Sequence, residues 1–210
     1  MEVPATQRWS AMAGLLAGPW FAIALLAFAA RVAEYRHVLH PPALLGASGM
    51  PDAFAWNLLG FLVPGVLAAI ALQGLHGALR LAGAGGIARI GATVLLLSAL
   101  AFAAQGLLPL RLGQAVDAGP ARWHVLTWMA WWLAALSGFV LLAAGLRRRP
   151  VLAIATLLAA VAIAVALHAQ SVPLAGGLRE RVALAAWFGW IACASAGLLR
   201  VSRNAASSAG

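Results

Sequence analysis

The chain is predicted to be all-α: a polytopic integral membrane protein built as a single six-helix bundle over residues 1–210, with both termini cytoplasmic. Three observations lead there. The first is composition, 64% hydrophobic and only 9% charged with a mean hydropathy of +0.94, against about 25% charged residues in ordinary soluble domains. The second is the recurrence of apolar runs of roughly 18 residues or more, the length needed to cross a ~30 Å hydrocarbon layer. The third is the placement of the arginines, which gather at the ends of those runs.

Glycine, proline and charge clusters divide the runs into six spans: 10–32, 54–79, 87–108, 123–146, 151–169 and 182–201. Arg31, Glu34 and Arg36 follow the first span where a cleavage site would need small residues, so it reads as a retained helix. Helices are required because lipid offers no partner to an open sheet edge. The runs are continuous, not alternating, which excludes a transmembrane barrel. The small, polar segment 202–210 reads as a disordered tail.

Orientation follows from arginine, since the chain contains no lysine. With the N-terminus inside, the inner ends carry Arg8, Arg80, Arg89, Arg147, Arg148, Arg149, Arg200 and Arg203. The outer ends carry Arg31, Arg36, Arg111, Arg122, Arg179 and Arg181, together with most of the acids: Glu34, Asp52, Asp117 and Glu180. Arginine excess marks the cytoplasmic side, and the Arg147–Arg149 run in a very short loop is its strongest local sign. The net charge of +9 therefore implies contact with membrane lipids and not with nucleic acid. A bacterial inner (cytoplasmic) membrane is the expected location. Cys193 stands alone in the last span, so no disulfide framework exists and a buried structural thiol is expected.

The longer loops and four of the five histidines fall on the outer side, which is where function is to be sought. If helix one continues past the hydrocarbon boundary, Glu34 and His37 share a face, and His40 joins them less well. His124 opens helix four, with Trp128 and Trp131 on the same stripe, suggesting an aromatic wall. Asn57 lies one turn into helix two, Asp117 precedes helix four, and Arg181 begins helix six. Polar groups at membrane depth are costly and tend to face a bundle interior. His124 and His168 end up at matched depth if helices four and five are antiparallel neighbours, the least that a haem or, with a carboxylate, a zinc ion would need. No HExxH, G-x-S-x-G or phosphate-binding glycine loop occurs. The glycines of Gly60–Gly65 and Gly189–Gly197 suggest close helix packing.

Three patches resemble a bacterial six-helix membrane family, domain-of-unknown-function family 998. The first is His40-Pro41-Pro42-Ala43-Leu44-Leu45-Gly46-Ala47-Ser48-Gly49, followed by Trp56-Asn57-Leu58-Leu59-Gly60-Phe61. The second is Gly106-Leu107-Leu108-Pro109, then Asp117 and His124, with Leu108 replacing the family's aromatic and the aspartate displaced from the proline. The third is Gly177-Leu178-Arg179-Glu180-Arg181 leading to Trp187 and Trp190. The resemblance implies six helices and an outer polar cluster of Asn57, Asp117, His124 and Arg181, but no activity.

Three functions stay open. One is a binding or accessory membrane subunit. Another is an enzyme acting on a lipid or isoprenoid-like substrate, with His124 as acid/base, Asp117 or Glu34 orienting it, Arg181 meeting negative charge, and Asn57, Trp128, Trp131 and His37 lining the site. The third is a haem or metal protein using His124 and His168. Cofactor and oligomeric state are not specified by the residues.

Overall fold

A computed structural model describes residues 5–113, 119–169 and 173–207. Six helices in it are long and apolar enough to cross a membrane. They are α1 (Ala5–Ala29), α2 (Ala53–Leu81), α3 (Gly86–Gln105), α4 (Gly119–Gly145), α5 (Pro150–His168) and α6 (Gly176–Ser207). Each packs on its neighbours in sequence, and α6 closes the ring against α1 while also touching α2. The four-residue connections 82–85 and 146–149 force antiparallel neighbours. The start of α1 and the end of α6 therefore lie on one side, and the connections after α1, α3 and α5 are on the other, the distal face.

The distribution of side chains is that of a protein solvated by lipid. Large apolar residues point outward, among them Ile23, Phe54, Leu97 and Val151, while alanines such as Ala17, Ala68, Ala88 and Ala135 are buried between helices. Apolar chains are not driven inward in a bilayer, so interfaces favour small residues that let backbones approach. The α3–α4 pair shows this most clearly. A Cβ on Gly91 would collide with the Leu142 backbone, one on Gly138 with Leu95, and one on Gly145 with Ala88. Of the glycines expected to pack closely, Gly65 does, against the Ala103 backbone, whereas Gly189 and Gly197 face open space. Cys193 is likewise exposed rather than buried.

The bundle centre is aromatic. Phe102 contacts Phe61 (5.3 Å), Trp187 (5.5 Å), Phe188 (5.5 Å) and Phe21 (5.9 Å) between ring centroids. Some of the polar groups inside pair across helices, as Trp187 Nε1 donates to Ser98 (3.2 Å) and Trp190 Nε1 to Thr156 (3.2 Å).

Two boundaries differ from the sequence expectation in ways that matter for the distal face. Helix α1 stops at Ala29, and residues 30–40 form tight turns. The Tyr35 hydroxyl is placed against the His40 and Pro41 carbonyls (3.2 Å each), which folds the segment back instead of extending it. The shared helical face of Glu34 and His37 does not form. Helix α6 starts six residues earlier than expected, at Gly176, because its first amides are satisfied by the loop: Gly177 N–H donates to Leu39 O (3.1 Å) and Leu178 N–H to Val38 O (3.0 Å). At its other end α6 continues to Ser207, into the segment whose composition suggested a disordered tail.

Candidate functional site: a distal-face cavity

The distal face is held together by side chains that cap backbone. Arg179 reaches across to the end of α5, donating to Ala169 O (3.1 Å) as a cation does at a helix C-terminus, and also to Leu174 O (2.8 Å) just before α6. Arg181 points the other way. Its guanidinium donates to Gly177 O (2.7 Å), Tyr35 Oη (2.7 Å), His40 O (2.9 Å) and His37 Nδ1 (3.3 Å). Arg181 thus locks the loop after α1 onto the start of α6.

Asn57 does the same for the loop before α2. Its Nδ2 donates to Gly46 O (2.9 Å) from the start of a π-helical stretch, Asn57–Leu62. Such a bulge frees a carbonyl, and Trp20 Nε1 donates to it at Leu59 O (2.9 Å). A further tie is Ser48 N–H to Leu110 O (2.8 Å), between the first and second distal loops.

Beside these ties lies an open-mouthed cavity of about 170 Å³, walled by Pro41, Pro42, Ala43, Phe61, Gln105, Leu110, His124, Val125, Trp128, Glu180 and Leu184. Three of these side chains are strongly polar. Gln105, the last residue of α3, is 0% exposed, and neither its amide nitrogen nor its amide oxygen has a hydrogen-bond partner. Buried side-chain amides almost always find partners, so an amide left wholly unpaired in a cavity wall requires an explanation. His124 is buried on α4; its Nδ1 donates to Leu108 O (2.8 Å), and the Gln105 carbonyl is also within reach of the ring. The imidazole thereby caps the C-terminal carbonyls of α3. Glu180, in the first turns of α6, makes no hydrogen bond or ion pair among the described residues, where Arg31–Asp52 (3.1 Å) is the salt bridge.

The residues singled out from the sequence divide accordingly. His124 and Trp128 line the cavity. Trp131 is fully buried behind it, 4.7 Å from Trp128 between centroids, and forms part of the core instead of the wall. Asn57, His37 and Arg181 brace the loops around the cavity without lining it. Glu34 is exposed on the turns after α1. Asp117 lies outside the described residues. His168 is exposed at the distal end of α5 with its ring on Trp132 (4.6 Å), while the His124 ring packs on Phe61 (6.1 Å), so the two have different partners. No cluster of three or more potential metal ligands occurs among the described residues.

Gln105 and Glu180 were not singled out as site residues from the sequence. The signal for Gln105 was present: one amide closing an otherwise apolar span, which carries the same membrane cost as the groups that were singled out. Glu180 was concealed by its arginine neighbours, which suggest mutual neutralisation until the structure turns both away from it.

His37 gives the loop a pH dependence. Desolvation, and then the Arg181 charge, hold its imidazole below the ordinary value of about 6.5. The folded state therefore binds fewer protons than the unfolded one, and the stabilisation is complete above pH ~6.5 and lost as pH falls through the folded value. Protonation also removes the Nδ1 acceptor used by Arg181. Amide hydrogen exchange across residues 35–40, corrected for intrinsic rates, should speed up between pH 7.5 and 5, and His37→Gln should flatten that response. Exchange that does not change with pH in the wild type would contradict this.

Comparison of the chain with protein-family models, with curated proteins and with solved structures returned no match.

Proposed function

We propose that this multi-pass membrane protein is a binding or accessory protein that holds a small ligand in its distal cavity. The observation that carries the reading is Gln105, a residue bordering the cavity whose side-chain amide is fully buried with donor and acceptor both unused. An unsatisfied buried polar group costs about 1–3 kcal/mol, and a ligand that supplies both bonds recovers that cost on binding.

An Nδ1–H bond to a backbone carbonyl orients an imidazole and leaves Nε2 as the acceptor, so the His124 bond to Leu108 O serves binding and catalysis alike, and the reading rests on Gln105. In this reading the termini are cytoplasmic, supported by the arginine balance, and the cavity opens to the outer side of a bacterial inner membrane. The resemblance to family 998 is compatible with that arrangement.

Native mass spectrometry of the protein released from mild detergent tests the reading. The wild type should carry a low-mass adduct. Val125→Trp, which fills the cavity from α4, should lose it while retaining the helical circular dichroism of the wild type. A wild type without any adduct, or an adduct equally retained by Val125→Trp, would overturn the assignment.

A further inference from the structure

We infer that the ligand class of this cavity is a protonated alkylamine: an ammonium group bearing at least one N–H, attached to a short apolar stem. The inference rests on the reading of the cavity as a binding site and adds the chemistry of its occupant.

Glu180 sets the sign. Glu180 lines the cavity, and its carboxylate has no hydrogen-bonding or ion-pairing partner among the described residues. The neighbouring guanidinium of Arg181 acts on it through space, but all the hydrogen bonds Arg181 makes go to the loop after α1 and to Gly177. An unpaired carboxylate in a low-dielectric wall is costly to keep ionised, and a bound ammonium offsets that cost where a neutral or anionic ligand does not.

Gln105 sets the hydrogen bonding. Its Oε1 is an unused acceptor, and Gln105 and Glu180 both border the cavity, so a primary ammonium meets there an amide acceptor and a carboxylate that a neutral alkyl chain cannot use. The unused amide N–H donors suit an oxygen on the same ligand, close to the nitrogen. Phe61 and Trp128 supply aromatic surface, whose negative ring faces attract a desolvated cation. The size agrees as well: about 170 Å³ is below the ~300–1,000 Å³ of drug-sized sites, enough for a head group and a few carbons. The source is either an aminoalkyl lipid head group or a free amine, and both present the same chemistry.

The test is isothermal titration of the detergent-solubilised full chain with n-hexylammonium, n-hexanol and n-hexanoate, which share a stem and differ in charge. The expected result is saturable binding of hexylammonium, at least tenfold weaker binding of hexanol, and none of hexanoate. Glu180→Gln should weaken hexylammonium binding tenfold or more and narrow its margin over hexanol. Binding of hexanol or hexanoate as tight as hexylammonium would overturn the amine assignment while sparing the pocket. No binding of any probe, with no adduct in the native spectrum, would remove the pocket reading itself. The selectivity among probes is read on the wild type, so a Glu180→Gln protein that fails to fold leaves the proposal testable. Repeating the hexylammonium titration in nanodiscs assigns the source: competition by phosphatidylethanolamine but not phosphatidylglycerol marks the lipid head group, and equal affinity in both marks a free amine.

Discussion

Gly91→Ala should lower the stability of the folded bundle by about 3 kcal/mol, at the upper end of the usual overpacking cost. The position appears innocuous, since alanine is small and helix-favouring. Its Cβ would nevertheless land on the main-chain nitrogen of Leu142 in α4. A backbone atom in a regular helix cannot rotate aside as a side-chain end can, so the two helices must separate. That separation also loosens the Gly138–Leu95 and Gly145–Ala88 contacts along the same seam. Gly189→Ala is the matched control, because nothing lies within 4 Å of the added carbon. Unfolding in a mild detergent–denaturant titration should separate the two variants clearly. Equal midpoints would show that the α3–α4 seam is looser than described.

Arg181→Ala should be nearly as damaging, and in a different place. The guanidinium bonds Tyr35 Oη, His37 Nδ1 and the carbonyls of His40 and Gly177. Hydrogen bonds to charged groups contribute about 1.5–3 kcal/mol each, less where groups regain water, so roughly 3 kcal/mol is expected in total. The loss should be local first: residues 35–40 should lose amide protection while the α3–α4 pair keeps its own. Arg181→Lys should recover only part of this, since one ammonium cannot reproduce the planar fork that serves several acceptors. Uniform loss of protection across all six helices would show that Arg181 supports the whole bundle and not this loop.

The architecture was readable in the residues because lipid imposes a simple rule: six apolar runs of sufficient length become six helices. The placement of His124 and Trp128 on one stripe of α4 was readable for the same reason, since helical spacing fixes which residues share a face. What spacing does not contain is the path of the loops. Glu34 followed from α1 extending beyond Ala29, and a long-range bond between Tyr35 and Arg181 is part of what folds that segment back instead. Trp131 lies on the expected stripe but one turn too deep to reach the cavity. Its indole nitrogen, like that of Trp56, is buried without a partner. Neither tryptophan lines the cavity, so those orphaned donors are a feature of the core.

The central claim is that the Gln105 amide is kept for a ligand and not for the fold, and Gln105→Met measures it most directly. Methionine fills nearly the same volume without a hydrogen-bonding demand. The ligand-free variant should therefore have a thermal midpoint equal to or above the wild type's, because an unpaired buried amide costs about 1–3 kcal/mol. In the same experiment the upward shift produced by hexylammonium should largely disappear. A clear fall in the ligand-free midpoint, with the hexylammonium shift intact, would contradict the claim and make Gln105 a structural residue.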